Sequence, residues 1–303
     1  MRILRGKALQ FIFMCDKIIQ KDYSELIMVF QTVDLYEYFG VKREEGAQGY
    51  LDCYIPEVSK EVAPRLRPAM LVIAGGGYAM VSDRERECIA FAYLAQSFAA
   101  FALRYSVAPV RYPAQLVEAD MAMLYIRENA EKFAVDKDHV AAIGFSAGGH
   151  LAGMLGIIPD EKEAEEVLGD RVKNARPNAV ILSYPVITGG EKAHFGSFEN
   201  LTGGDKKLFE RLSLETRVDG NSAPAFIWTT ANDNCVPSEN SLLVAAAYKK
   251  AGVPFELHVF ENGQHGLSLA TEETQYPNKA VSHWVKICNK WLVAHGFTIK
   301  TRG

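Results

Sequence analysis

The pentapeptide Gly144-Phe145-Ser146-Ala147-Gly148 has the pattern G-x-S-x-G and is the most informative stretch of this sequence. The apolar residues 140–143 precede it and predict a buried strand, and the small residues 148–154 follow it and predict the first turns of a helix. A serine between a strand and a helix sits on a sharp, strained turn that exposes its hydroxyl, and flanking glycines avoid clashes there. The stretch therefore predicts that Ser146 is a nucleophile.

The serine requires partners, because its hydroxyl is a poor nucleophile until a base removes its proton and a carboxylate orients that base. In α/β-hydrolase proteins the acid and then the histidine follow the serine, each on a loop after a strand. Residues 224–230 predict a strand that leads to Asp233, and residues 255–260 predict a strand that leads to His265. We therefore predict Ser146 as nucleophile, His265 as general base and acid, and Asp233 as orienting carboxylate.

A glycine-rich loop upstream is the candidate oxyanion hole. The apolar residues 70–74 lead into a glycine triplet that begins at Gly75, where bare backbone can aim N–H groups at a developing negative charge. By their position in this loop, we predict that Gly76 and Gly77 donate two hydrogen bonds to the oxyanion. The backbone N–H of Ala147, the residue after the nucleophile, is the predicted third donor.

Each of these features has a simpler interpretation when it is taken alone. The glycine triplet could bind phosphate, although the sequence there has neither G-x-G-x-x-G spacing nor a G-K-[ST] ending. His265 could be a surface histidine, and Asp233 could cap a helix or a turn. His150 follows Ser146 closely, but the order along the chain favours His265 as the base and places His150 on a helix behind the site. Their occurrence together and in order favours a catalytic role.

Strands and helices alternate along the chain. Residues 179–184 predict another buried strand, and helices are predicted at 113–133, 238–251 and about 278–293. Short, continuously apolar strands between helices are typical of a parallel sheet that is covered on both faces, with ligands bound beyond the carboxyl ends of its strands. We predict an α/β fold with a mostly parallel central sheet and helices on both faces.

Six segments of the sequence share the pattern of a known family. They are residues 74–78, 82–85, 120–129, 144–150, 236–242 and 263–269. On these segments the chain resembles the α/β-hydrolase superfamily, in the esterase and lipase group related to hormone-sensitive lipase and closest to the bacterial acetyl esterase or acetylxylan-esterase-like branch. The resemblance covers about residues 34–297. Ala74 replaces the histidine of the His-Gly-Gly-Gly loop in that group, which leaves the backbone donors in place but weakens the subgroup assignment.

The resemblance implies an α/β-hydrolase fold and a serine carboxylesterase that cleaves short acyl esters through an acyl-enzyme intermediate. It also implies a small-molecule ester as substrate, with acetyl groups on a carbohydrate as the expected class. Because the same triad chemistry serves amides, a small-peptide or formamide hydrolase is the first alternative. A non-catalytic binding protein is the second, and the presence of all three triad residues counts against it. An interfacial lipase is the third, and it would prefer a long apolar lid.

Residues 187–222 lie between two predicted core strands and are rich in glycine and charge. We predict that they form a small cap or loop insertion over the site, within a hydrolase domain of residues 31–303. A surface excursion without a substrate role is the alternative. Tyr78, His194 and Phe195 are the candidates for substrate contacts.

The N-terminal residues 1–30 are predicted to be an extension that precedes this domain. Cations at the start and the apolar residues 8–15 have the outline of a short signal peptide, but Gln10 interrupts the apolar part and no good small-residue cleavage site follows. An amphipathic helix and a start codon placed too early are the alternatives. We predict a cytoplasmic protein, with secretion as the minority alternative.

The composition is that of a globular enzyme, with 49% hydrophobic and 23% charged residues among 303. The net charge of −4 and the lack of a basic block argue against a nucleic-acid partner. Five scattered cysteines fit free thiols better than a disulfide framework. The sequence has no C-x-x-C or H-E-x-x-H motif, so we expect no metal and no cofactor, and we expect no transmembrane segment.

Overall fold

A nine-stranded β-sheet organises the part of the chain that the computed structural model describes, residues 28–57, 61–158 and 162–301. The strands are β1 (Met28–Asp34), β2 (Tyr50–Pro56), β3 (Arg65–Ile73), β4 (Ala99–Arg104), β5 (Val135–Phe145), β6 (Ala179–Ser183), β7 (Ala225–Thr230), β8 (Phe255–Phe260) and β9 (Lys300–Thr301). Their spatial order is β1-β2-β4-β3-β5-β6-β7-β8, and β9 pairs with the start of β3.

Most of the sheet is parallel. Strand β2 is antiparallel to both β1 and β4, whereas every neighbouring pair from β4 across to β8 is parallel. The apolar runs in β3, β5, β6 and β7 are completely buried, as expected for parallel strands that are covered on both faces. The predicted strands at 179–184, 224–230 and 255–260 are confirmed to within one residue.

Helices cover both faces of the sheet, which confirms the predicted fold class. One apolar core joins α1 (Leu35–Phe39), α3 (Ala114–Glu128), α4 (Ala147–Ile157), α5 (Lys162–Leu168) and α8 (Glu239–Ala251) to one face. A second core joins α2 (Glu87–Leu94) and α9 (Trp284–Ala294) to the opposite face. No helix in the described part of the chain is long and apolar enough to cross a bilayer.

Three boundaries differ from the sequence-based expectations. The helix predicted at 113–133 is α3, which ends at Glu128. Helix α9 begins at Trp284 rather than near residue 278, because the Asn278 carboxamide accepts hydrogen bonds from the N–H groups of Ala280 and Val281 and closes a turn there. Residues 28–30, which were expected to belong to the extension, form the start of edge strand β1. Residues 1–27 of that extension lie outside the described residues.

The segment 187–222 contains two short helices, α6 (Phe195–Thr202) and α7 (Lys206–Arg211), and a single 3-10 turn at Leu214–Thr216. Its buried Phe198 and Phe209 pack against each other with ring centroids 5.1 Å apart. The Asn200 carboxamide donates a 2.9 Å hydrogen bond to the Gly77 carbonyl, so this segment is attached directly to the glycine-rich loop.

A buried carboxyl group fixes the loop that follows β4. Glu118 on α3 is fully buried and accepts hydrogen bonds from the Ser106 N–H, the Ser106 hydroxyl and the Tyr36 hydroxyl. Burial raises the pKa of Glu118 to about 7, although these hydrogen bonds act in the opposite direction. The side chain therefore gains a proton on folding between its ordinary pKa and about pH 7.

We predict that Glu118 makes the protein less stable as the pH rises. Its folded-state pKa lies above its ordinary value of 4.5, so its contribution is full below that pH and is lost as the pH rises through about 7. In urea unfolding, the stability of the wild type relative to Glu118→Gln should fall by roughly 3 kcal/mol between pH 4.5 and pH 8. A difference that stays constant over this range would contradict the prediction.

Candidate active site

Ser146 occupies a strained turn between β5 and α4. Its backbone has φ 53° and ψ −121°, a conformation that side chains rarely adopt. Glycines on either side permit the turn: a Cβ on Gly144 would lie 2.0 Å from the Gly148 carbonyl oxygen, and a Cβ on Gly148 would lie 2.2 Å from the Ile73 carbonyl oxygen. The turn therefore projects the serine side chain from the carboxyl edge of the sheet, at the start of helix α4.

Three side chains from separate loops meet in a hydrogen-bonded chain. The His265 Nε2 atom lies 2.8 Å from Ser146 Oγ, and the His265 Nδ1 atom lies 2.7 Å from Asp233 Oδ2. With the proton on Nδ1, the imidazole donates to the carboxylate and accepts from the serine hydroxyl. The other oxygen of Asp233 accepts the N–H groups of Cys235 and Val236, both at 2.9 Å.

Two asparagines hold the loop of His265, and sequence reasoning assigned no role to either. The Asn234 carboxamide oxygen accepts the His265 N–H at 3.1 Å, and the Asn232 carboxamide oxygen accepts the Gly263 N–H at 2.8 Å. Both asparagines flank Asp233 in the sequence Asn232-Asp233-Asn234. That triplet on a loop was the available signal, because asparagine side chains often bond to backbone.

The glycine-rich loop faces the same turn. The N–H of Gly75 is bonded to Glu85, whereas the N–H groups of Gly76, Gly77 and Ala147 donate to no acceptor within the described residues. Gly76 has φ 124° and Gly77 has φ 64°, and a Cβ on Gly76 would lie 2.2 Å from the Met80 carbonyl oxygen. The loop thus requires glycine and leaves free donors, which is the arrangement that an oxyanion needs.

Of the candidates for substrate contact, Tyr78 lies in the interior of the protein. Its side chain is buried, and its hydroxyl bonds to His150 Nδ1 at 2.9 Å. His150 is also buried, and its Nε2–H donates to the Leu212 carbonyl at 2.8 Å. Burial lowers the pKa of His150 to about 4, so this imidazole is neutral at neutral pH and both of its nitrogens are engaged away from Ser146.

The two other candidates for substrate contact differ in position. His194 lies next to the glycine loop, with its Cε1 atom 4.0 Å from where a Cβ on Gly77 would be. Its Nε2 atom lies 3.4 Å from Cys235 Sγ, and burial and the nearby His265 both lower its pKa. Phe195 is 53% exposed and its ring lies 5.9 Å from the Lys206 ammonium, so the described structure links His194, but not Phe195, to the site.

The chemistry available here is that of acyl transfer. A hydroxyl, an imidazole, a carboxyl group and backbone N–H groups without an acceptor in the described residues converge at the carboxyl edge of the sheet. In the residues that the structure describes, no group of three or more His, Cys, Asp or Glu side chains could hold a metal ion.

Comparisons with known proteins show similarity to several hydrolases. The chain is 35% identical to the solved structure of an acetyl ester-xyloside bifunctional hydrolase from Caldicellulosiruptor lactoaceticus, with a TM-score of 0.77 over 90% of this chain and 99% of that one. It is 39% identical over 215 residues to the endo-1,4-beta-xylanase B of Butyrivibrio fibrisolvens, and 27% identical over 241 residues to an acetylxylan esterase of Xylanibacter ruminicola.

The two curated relatives are much longer than the matched region. The alignments cover 68% and 77% of this chain, but only 33% of the xylanase and 46% of the acetylxylan esterase. The family model of BD-FAE matches residues 51–248, which run from β2 through the turn of Ser146 to α8. The chain therefore belongs to the BD-FAE family of α/β hydrolases.

Proposed function

We propose that this protein is a serine carboxylesterase that hydrolyses short-chain acyl esters. The observation that carries the proposal is the chain of hydrogen bonds from Asp233 through His265 to Ser146, with distances of 2.7 and 2.8 Å. These distances are short enough for the imidazole to take the serine proton, and the carboxylate holds the ring in the required tautomer.

The reaction would proceed in two halves. Ser146 Oγ attacks the ester carbonyl while His265 Nε2 takes its proton, and Asp233 stabilises the resulting imidazolium. The N–H groups of Gly76, Gly77 and Ala147 hold the oxyanion of the tetrahedral intermediate. His265 then gives the proton to the departing alcohol, which leaves an acyl-serine. Water, activated by the same histidine, repeats the sequence and releases the acid.

Acetylated carbohydrates are the proposed substrate class. Support comes from the relatives, one of which is described as an acetyl ester-xyloside hydrolase and another as an acetylxylan esterase. Of the two alternatives, an amide hydrolase would require the triad and a non-catalytic binding protein would not. A binding protein does not require three side chains that are hydrogen-bonded to one another, so their arrangement favours an enzyme.

We also propose that the protein works in a reducing, cytoplasmic compartment. The cysteines Cys53, Cys88, Cys235 and Cys288 are free thiols, and two of them, Cys53 and Cys288, are fully buried. Unpaired thiols are typical of compartments that keep cysteine reduced. Cell fractionation that finds the protein outside the cytoplasm would contradict this.

The first prediction from the proposed function concerns acyl-chain length. On p-nitrophenyl esters from acetate to decanoate, kcat/KM should be highest for acetate and about tenfold lower by hexanoate, because an enzyme matched to the proposed acetyl substrate would discriminate against added methylenes. Ser146→Ala should lower kcat by at least about 10⁴-fold, since the nucleophile is lost.

The same assay should then be run on acetylated xylo-oligosaccharides, with release of acetate as the measurement. Acetate release that disappears in Ser146→Ala would support the carbohydrate assignment. Turnover of amides but not of any ester by the folded protein would instead favour the amidase alternative, and no turnover of either would favour a binding protein.

The second prediction separates the two histidines near Ser146. His265→Gln should lower kcat/KM at least about 10³-fold with little loss of stability, because it removes the base. His150→Gln should lower kcat/KM less than about tenfold but destabilise the fold by about 1–3 kcal/mol, because the Tyr78 hydroxyl loses its acceptor. Kinetics and urea unfolding of both variants provide the test. A folded His150→Gln protein without turnover would show that the base has been assigned wrongly.

The third prediction concerns His194, which we propose contacts the substrate beside the oxyanion loop. His194→Ala should raise KM for an acetylated xylo-oligosaccharide by about threefold to tenfold, since one contact to a sugar hydroxyl is lost. Phe195→Ala is the matched control from the next position and should leave KM unchanged. Equal changes in KM for the two substitutions would contradict a substrate contact by His194.

A further inference from the structure

Glu85 is a buried carboxylate that the proposed reaction does not use. It lies at the end of the 3-10 helix Asp83–Glu85, and only 3% of its surface is exposed. A buried carboxylate is costly unless its oxygens accept hydrogen bonds, so its partners indicate why it is there. Both of its oxygens are engaged, and each is bonded to a different element of the site.

One carboxylate oxygen holds the start of the glycine-rich loop. Oε2 accepts the N–H of Gly75 at 2.8 Å, immediately before the proposed donors of Gly76 and Gly77. Gly75 has no room for a side chain, because a Cβ there would lie 2.7 Å from Glu85 Oε2 and 2.9 Å from Ser146 Cβ. The carboxylate therefore packs against the residue that separates it from the nucleophile.

The other carboxylate oxygen bonds to Tyr184, the residue whose ring packs against His265. Oε1 accepts the hydroxyl of Tyr184 at 2.7 Å, and that hydroxyl in turn accepts the N–H of Ser268 at 2.9 Å. The Tyr184 ring meets the His265 imidazole edge-on, with centroids 5.0 Å apart. Ser268 lies three residues after His265, so Tyr184 contacts the histidine and also anchors its loop.

We infer that Glu85 is a positioning residue for the proposed esterase reaction, one that fixes the oxyanion loop and the histidine loop relative to each other. The inference rests on the proposed function. Its physical basis is that an oxyanion donor and a base act on the same tetrahedral centre, and a misplacement of about 1 Å between such groups can cost about 10²-fold in rate. A single carboxylate that bonds to Gly75 directly and to the histidine loop through the Tyr184 hydroxyl restrains that distance, and a neutral side chain with one acceptor cannot.

The test is Glu85→Gln, which keeps the shape of the side chain but replaces one acceptor oxygen with an N–H donor. With p-nitrophenyl acetate, kcat per active site should fall about 10- to 100-fold while KM changes less than about threefold. Active sites are counted by titration with diethyl p-nitrophenyl phosphate, which phosphorylates the serine and releases one p-nitrophenol. The rate constant of that phosphorylation should fall in parallel with kcat, because it uses the same donors and the same base.

Glu87→Gln is the matched control. It makes the same chemical change two positions away, at an exposed glutamate whose partner is the Tyr54 hydroxyl at 3.3 Å. Wild-type kcat is expected. If Glu85→Gln lowers only the number of titratable sites and leaves kcat per site unchanged, its role is in folding alone and the inference is overturned.

Tyr184→Phe keeps the inference testable if Glu85→Gln does not fold. It removes the hydroxyl that connects Glu85 to Ser268 and retains the ring against His265. We expect kcat per site to fall at least about fivefold, and in the double variant the two losses should not multiply, because both substitutions break one network. Wild-type kcat in Tyr184→Phe, or fully multiplicative losses, would overturn the inference.

Failure of this inference is distinguishable from failure of the proposed function. If wild-type protein and Ser146→Ala are equally inert towards esters and the organophosphate, the proposed function is wrong. If the wild type turns over and Glu85→Gln keeps its kcat per site, only the role of Glu85 is wrong.

Discussion

The close approach of helix α4 to the end of strand β3 is the constraint on which the site depends. Gly148, in the first turn of α4, lies so near the Ile73 and Ala74 carbonyl oxygens that a Cβ would come within 2.3 Å of both. This contact brings the first N–H of the helix beside the glycine-rich loop that continues from β3. The strained turn at Ser146 then follows, because the chain must reverse from β5 into α4 within one residue.

The sequence predicted what depends on local pattern and on order along the chain. The G-x-S-x-G turn and the strands before Asp233 and His265 are local signals, and parallel strands bring their carboxyl ends to one edge of the sheet. The positive φ of 56° at Tyr78 and the bond of its hydroxyl to His150, 72 positions away, could not be predicted in this way. Contacts between side chains so distant in sequence leave no periodicity that a single sequence can display.

The two buried carboxyl groups, Glu118 and Glu85, bond to different parts of the fold. Glu118 satisfies donors on the loop after β4 and on α1. Glu85 satisfies donors on the two loops that flank Ser146. A buried carboxylate with well-aligned donors restrains geometry more tightly than an apolar contact, because its hydrogen bonds are directional and costly to leave unmade.

Two hydrogen bonds connect the segment 187–222 to the glycine-rich loop and to His150. Asn200 donates to the Gly77 carbonyl, and the Leu212 carbonyl accepts from His150, whose other ring nitrogen bonds to the Tyr78 hydroxyl. Residues on this segment therefore touch the same loop that carries the proposed oxyanion donors. Under the proposed function, a substitution that moves the Asn200 carboxamide would also move the Gly77 peptide and so change the geometry of the proposed oxyanion donors.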